Sequence, residues 1–179
     1  MELDTKLVSK EINERMWNLH KTLSTAESCT AGRIASVITA IPGSSNYFRG
    51  SLVCYQDDVK VELLNVKQET IDQHDVVSEE VVKEMVIGAN KLFHTDYAVA
   101  ISGYAGPGGP DNGRAGVIVG NIWIAVGNEE HIETRLLEND HGRDKNLLIA
   151  TNRAMHMLLD FIKADNPAEE TEEEAKEEA

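Results

Sequence analysis

The chain is poor in cysteine, in positive charge and in long apolar runs. Its 179 residues include two cysteines, Cys29 and Cys54, with no C-x-x-C pair. That argues against a disulfide framework and a thiolate zinc site, and suits a reducing compartment. The 17 basic residues are outnumbered by 31 acidic ones, for a formal charge of -14. A chain of that sign is repelled by the phosphate backbone, so nonspecific nucleic-acid binding is not expected. No apolar stretch approaches membrane-spanning length, and the first twenty residues mix polar and apolar side chains rather than forming a signal peptide. The expectation is a soluble, cytoplasmic protein without a membrane partner.

Several chemical signatures are missing too. The six histidines are scattered, with no H-E-x-x-H and no nearby cysteine partner, so no metal is expected. There is no G-x-x-x-x-G-K-[ST] phosphate loop and no G-x-S-x-G nucleophile elbow.

What is present suits one domain over residues 1–164. Residues 165–179 hold eight acidic residues and one lysine, so half of the net charge sits there. This acidic, low-complexity stretch has nothing to bury and reads as a disordered tail. Helical spacing over 7–20 puts Val8, Ile12, Met16 and Leu19 on one face. Strands are expected at 22–26, 49–55, 97–102, 117–126 and 132–137. Helices are expected at 30–40, 57–64, from Ser78 as N-cap to about Phe93, and 143–163. Val81, Met85, Ala89 and Leu92 should face inward on the helix that starts at Ser78, and Leu147, Ala150, Ala154, Leu158 and Ile162 on the last. Residues 66–77 read as polar and irregular, and 103–116 as a glycine- and proline-rich loop. The last two strands, joined by the turn at 127–130, form an antiparallel hairpin. Strands alternating with helices and then a hairpin predict an α/β layered domain with a mixed sheet.

The segment Ala26-Glu27-Ser28-Cys29-Thr30-Ala31-Gly32 falls where a strand turns into a helix. Free backbone N–H groups and the positive end of a helix dipole are available there. A hydroxyl at that place serves as nucleophile, anion ligand or helix cap. Tyr55 ends the next strand, and Lys60 follows one helical turn later. Two adjacent strand ends in one sheet can bring Lys60 near Ser28, where a neutral lysine acts as general base. Each residue also has a plain structural reading: Ser28 or Thr30 as a cap, Lys60 as a surface lysine, Tyr55 as a rim residue, Arg143 as cover for the sheet edge.

Taken together, these segments resemble the CinA C-terminal domain family, which includes stand-alone bacterial nicotinamide-nucleotide amidases. The resemblance rests on five stretches in order. They are Thr25 with the heptapeptide; Ile41-Pro42-Gly43-Ser44-Ser45 with Phe48; Tyr55 with Lys60; Val77-Ser78-Glu79 with Ser102-Gly103-Tyr104-Ala105-Gly106-Pro107-Gly108-Gly109; and Val119-Gly120-Asn121-Ile122-Trp123-Ile124-Ala125. It spans roughly residues 5 to 162. The resemblance implies a three-layer α/β/α sandwich with a mixed, mostly parallel sheet of about five strands, assembled as a homodimer or higher homo-oligomer. It implies hydrolysis of the carboxamide of nicotinamide mononucleotide to nicotinate mononucleotide and ammonia, without cofactor. Ser28 and Lys60 stand at the positions of a Ser/Lys dyad, and Tyr55 at the matching tyrosine. Substrate contacts are expected from Thr30, Gly32, Ser45, Gly103, Ala105, Gly106 and Arg143, with oxyanion donors near Thr30 and Gly32. The activity of the N-terminal pyrophosphatase-type domain of longer relatives is not expected of these 179 residues.

The sequence departs from the family pattern at several places. Ala31 replaces a glycine, Ser51 replaces a glycine, Gly108 replaces an aspartate, and a second arginine after Arg143 gives way to Asn146 or Leu147. These differences motivate an alternative, a non-catalytic nucleotide-binding protein with an altered pocket.

Overall fold

A computed structural model describes residues 3–108 and 117–167. In chain order the elements are α1 (Leu3–Leu19), β1 (Leu23–Glu27), α2 (Arg33–Thr39), a 3-10 turn (Ser44–Asn46), β2 (Phe48–Val53), α3 (Asp57–Leu64) and α4 (Gln68–His74). They continue with α5 (Glu79–Phe93), β3 (Tyr97–Gly103), β4 (Ile122–Gly127), β5 (Ile132–Leu137) and α6 (Arg143–Asp165). The strands form one sheet in the order β2-β1-β3-β4-β5. β1 pairs in parallel with β2 and β3, while β4 runs antiparallel to both β3 and β5. Four of the five strands therefore point the same way, and only β4 is reversed.

Strand alternation sends successive side chains to opposite faces, and each face has its own layer of helices. One face presents Leu23, Val99, Ile101, Ile124 and Val126, and packs against α1, α2 and α6. The other presents Ala26, Ala98, Ala100 and Ala125, and packs against α3, α4 and α5. Small residues on the second face let α5 lie close to the sheet. The helices on that side are close to each other as well: a Cβ on Gly88 of α5 would stand 2.1 Å from the Leu64 carbonyl oxygen.

The helix stripes follow the expected periodicity. Val8, Ile12 and Met16 of α1 are buried, as are Leu147, Ala150, Ala154, Leu158 and Ile162 of α6. Each such leucine or isoleucine contributes about 1.5–3 kcal/mol of burial. On α5, Val81, Met85 and Ala89 are buried, but Leu92 is exposed. The buried stripe of α5 also takes in Val82 and Val86, and Phe93 lies against Gly50 of β2. Ser78 caps α5, its Oγ accepting from the Val81 N–H at 3.3 Å.

Three boundaries differ from the sequence-based expectation for physical reasons. Residues 66–77 contain α4, a one-sided helix whose buried residue is Ile71, too little apolar content to show as a period. β4 begins at Ile122 rather than 117, because Gly120 takes φ 96 just before it. Its Cβ position would meet the backbone of Asn139 at 2.6 Å. α2 begins at Arg33, three residues late, for a reason given below. The expectations for the distal loop and the acidic tail fall outside the described residues at 109–116 and 168–179. Within the described residues, α6 continues through Asp165. No described helix is long and apolar enough to cross a membrane.

Candidate active site

The carboxyl ends of β1, β2 and β3 lie side by side, with Glu27 level with Val53 on one side and Ile101 on the other. The Ser28 N–H donates to the Ile101 carbonyl at 3.0 Å, and the Cys54 N–H to the Glu27 carbonyl at 2.9 Å. Ser28, Cys54 and the β3 end are thereby locked together one strand spacing apart, about 4.8 Å.

Glu27 organises the turn after β1. It ends a strand on which Leu23 faces the apolar side of the sheet, and it shares that side. Its carboxylate is fully buried. Oε2 accepts from Thr30 Oγ1 at 2.7 Å, Gly32 N–H at 3.0 Å and Ile34 N–H at 3.1 Å. Oε1 accepts from Ala35 N–H at 2.8 Å and Thr25 Oγ1 at 3.4 Å. The strand's own carboxylate therefore caps α2 from a distance. Residues 30–32 are drawn into a turn in which Ala31 has φ 50 and Gly32 φ 93, so α2 starts only at Arg33. Left-handed backbone is routine for glycine and costs alanine about 1–2 kcal/mol. Ala31 occupies that strained position.

Lys60 does the converse in the next turn. Its side chain is 1% exposed, although it sits on a short helix with two aspartates in the first turn. Nζ donates to the carbonyls of Cys54 at 2.8 Å, Tyr55 at 3.4 Å and Gln56 at 3.4 Å, with Asp57 Oδ1 3.9 Å away. Burial pushes the ammonium below the usual lysine range, opposed by the negative forms of Cys54, Asp57, Cys29 and Asp58. Burial pushes the Cys29 thiol up to about 12, with the Arg143 and Lys60 charges working against it, and the Cys54 thiol up to about 11. Both cysteines are protonated at neutral pH, which leaves Ser28 as the hydroxyl nucleophile candidate of this turn.

The third wall comes from β3 and α6. Gly103 has no room for a side chain, since a Cβ would stand 2.5 Å from Ile122 Cγ1. The Ala105 carbonyl accepts from Asn146 Nδ2 at 3.1 Å, and the Gly106 carbonyl from Arg143 Nη1 at 2.8 Å. Asn146 Nδ2 also reaches Asp140 Oδ1 at 2.8 Å, while its Oδ1 accepts from the His141 N–H at 2.9 Å. The loop after β3 is thus tied to the start of α6.

The expected site residues fall into three groups. Ser28, Lys60, Gly103, Ala105, Gly106 and Arg143 gather at one edge of the sheet. Thr30 and Gly32 are in the same place, but the Thr30 hydroxyl and the Gly32 N–H are both engaged by Glu27. Tyr55 is 53% exposed and touches Lys60 through its carbonyl oxygen, not its ring. Ser45 lies elsewhere. It precedes β2, whose first residue pairs with Leu23 at the start of β1, so the length of a strand separates it from Ser28. That far edge carries a polar cleft of about 720 Å³ lined by Lys21, Lys91, Asp96 and Tyr97 among others. Glu27 itself was not anticipated as a functional residue. The available signal was an acid ending a buried strand immediately before a helix start. Among the described residues, no group of three or more His, Cys, Asp or Glu side chains converges to hold a metal ion.

Residues 5–162 match the CinA C-terminal domain. The chain is 42% identical over 141 residues to a CinA-like protein of Flavobacterium psychrophilum, covering 79% of this chain and 33% of that protein. A CinA-like protein of Petrotoga mobilis is 50% identical over 144 residues, covering 80% of this chain and 35% of that protein. The chain thus spans about a third of the length of these two relatives. The nicotinamide-nucleotide amidohydrolase PncC of Escherichia coli K12 is 45% identical over 118 residues, 66% of this chain and 70% of that protein. Among solved structures, a CinA superfamily protein from Klebsiella pneumoniae superimposes with a TM-score of 0.83 at 31% identity, covering 89% of this chain and 98% of that one. A sheet of this order, with its strand ends furnished as described and matched over nearly the whole described length, assigns the chain to the CinA C-terminal domain family.

Proposed function

We propose that this protein is an amidase that hydrolyses the carboxamide of nicotinamide mononucleotide, releasing ammonia and nicotinate mononucleotide. The observation that carries the proposal is Ser28. The residue is 8% exposed, and its Oγ meets no hydrogen-bond partner among the described residues. A hydroxyl without a protein partner, one strand from a buried lysine, is available to a bound substrate. The similarity to the Escherichia coli amidohydrolase supplies the substrate class.

In this proposal Lys60 is the general base. As an ammonium it has three donors, and three carbonyls surround it. As a neutral amine it keeps two donors and gains a lone pair. The Cys54 bond and one longer bond can then persist while the lone pair takes the proton of Ser28. Ser28 Oγ attacks the amide carbon, the protonated lysine returns its proton to the departing ammonia, and water cleaves the resulting ester. Arg143 and the Gly103–Gly106 backbone are assigned to the phosphoribosyl portion. Incubation with nicotinamide mononucleotide should release ammonia, and Ser28→Ala should lower kcat by at least about 10³-fold. Full activity in Ser28→Ala would remove the serine mechanism.

One observation favours a second reading. The three carbonyls around Lys60 are arranged for an ammonium, the form that cannot accept a proton. In that reading the pocket binds a mononucleotide and does not turn it over. Mononucleotide binding without product at high enzyme concentration would select it.

A further inference from the structure

The turn between β1 and α2 allows a complete account of its backbone donors. The Ser28 N–H goes to the Ile101 carbonyl, the Ala31 N–H to the Ser28 carbonyl, the Arg33 N–H to the Thr30 carbonyl and the Ser36 N–H to the Gly32 carbonyl. The N–H groups of Gly32, Ile34 and Ala35 go to Glu27. That of Thr30 donates to no acceptor among the described residues, and that of Cys29 faces only its own thiol sulfur, a weak acceptor. Cys29 is 5% exposed and Thr30 fully buried, and buried N–H groups without acceptors are rare.

We infer that Glu27 is a positioning residue that takes up the first-turn donors of α2, leaving the Cys29 and Thr30 N–H groups as the oxyanion donors for attack by Ser28. The inference rests on the proposed amidase reading and revises its geometry. The start of α2 is not the anion site, because a carboxylate already fills it. The two remaining donors belong to the residues immediately after the nucleophile, where they move with it as one rigid turn. Charge-assisted hydrogen bonds to both carboxylate oxygens fix that turn before substrate arrives. The Thr30 hydroxyl contributes through Glu27 and does not touch the substrate.

A fluorophosphonate provides a test that does not depend on the natural substrate. It phosphonylates an activated serine: the Oγ–P bond forms, fluoride leaves and the hydroxyl proton passes to the base. Its phosphonyl oxygen then occupies the oxyanion position. In the wild-type chain, adduct formation at Ser28 should move the Cys29 and Thr30 amide protons downfield in the NMR spectrum. The Gly32, Ile34 and Ala35 amides should stay where they are. Movement of Gly32, or none at Cys29 and Thr30, overturns the inference, as does failure to label Ser28. The second measurement is Glu27→Gln, which matches the native size but turns an N–H donor toward a backbone N–H. The labelling rate at Ser28 should fall by about 10²-fold, the loss typical of one missing oxyanion donor. Binding of nicotinamide mononucleotide to Ser28→Ala should be unaffected by adding Glu27→Gln. An unchanged labelling rate, or loss of binding in step with loss of labelling, contradicts a positioning role. Should Glu27→Gln fail to fold, the wild-type amide shifts decide the matter. If the wild-type chain is labelled with the expected shifts but does not hydrolyse the mononucleotide, the substrate assignment fails and the inference stands.

Discussion

Two consecutive strand-to-helix turns sit at the same edge of the sheet, each built around a buried charge, and they handle it in opposite ways. After β1, the Glu27 carboxylate gathers N–H and hydroxyl donors from its own turn. After β2, the Lys60 ammonium gathers carbonyl acceptors from its own turn. Neither charge neutralises the other. The ion pair found for Lys60 among the described residues is with Asp57, at 3.9 Å. The distances show what this arrangement does. The four shorter bonds to Glu27 run from 2.7 to 3.1 Å, a closed network. Two of the three bonds to Lys60 are 3.4 Å, which leaves one donor easily given up. The first turn, closed around Glu27, carries the proposed nucleophile. The second holds a group that can change its protonation state without dismantling its surroundings.

The largest effect is expected at Lys60. Lys60→Met keeps the aliphatic stem, removes the proposed base and leaves the Cys54 carbonyl without its donor, so kcat should fall by about 10²–10⁴-fold. The pH profile sharpens this. Since burial lowers the folded-state value below 10.5, the native chain binds fewer protons than the unfolded chain between the two values. Stability of the wild type should therefore rise with pH across that window, and kcat/KM should rise through an inflection below 10.5. In Lys60→Met both effects should vanish. Urea unfolding and initial rates measured over the same pH range check the pair. A wild-type profile with no inflection below 10.5 would place the base elsewhere.

A smaller effect is expected at Ala31, the strained position in the rigid turn. Ala31→Gly relieves the left-handed alanine but gives the unfolded chain more freedom. It should stabilise the protein by about 0.5–1 kcal/mol, read as a shifted urea midpoint at constant m-value. The smallest effect belongs to Ser45. It stands at the far edge of the sheet, so Ser45→Ala should leave KM for the mononucleotide unchanged. A raised KM would bring that edge into the substrate site.

Much of this architecture was legible from local pattern. α3 and β5 occupy the expected residues, the hairpin is antiparallel, and the five α6 positions expected to be buried are buried. Those features depend on periodicity and on short turns, which a sequence displays directly. What stayed hidden depends on contacts across the fold. α4 carries too little apolar surface to register as a helix. The late start of α2 follows from a carboxylate reaching up to eight residues forward from a strand, which no helix-capping pattern encodes. Ser45 adjoins the motif residues in sequence, yet the parallel pairing of β1 with β2 sends it to the opposite edge. That the turns carrying Ser28 and Lys60 follow neighbouring strand ends was legible, because it requires only that two adjacent parallel strands end at the same level, as Glu27 and Val53 do.

A serine mechanism requires that Ser28 become covalently attached to the substrate. Acid quenching during turnover of nicotinamide mononucleotide, followed by peptide mass spectrometry, tests it most directly. The expected result is an ester on Ser28 that adds the mass of the mononucleotide less ammonia, absent from Ser28→Ala. Turnover continuing in Ser28→Ala, or an adduct located on Cys29 instead, would contradict it.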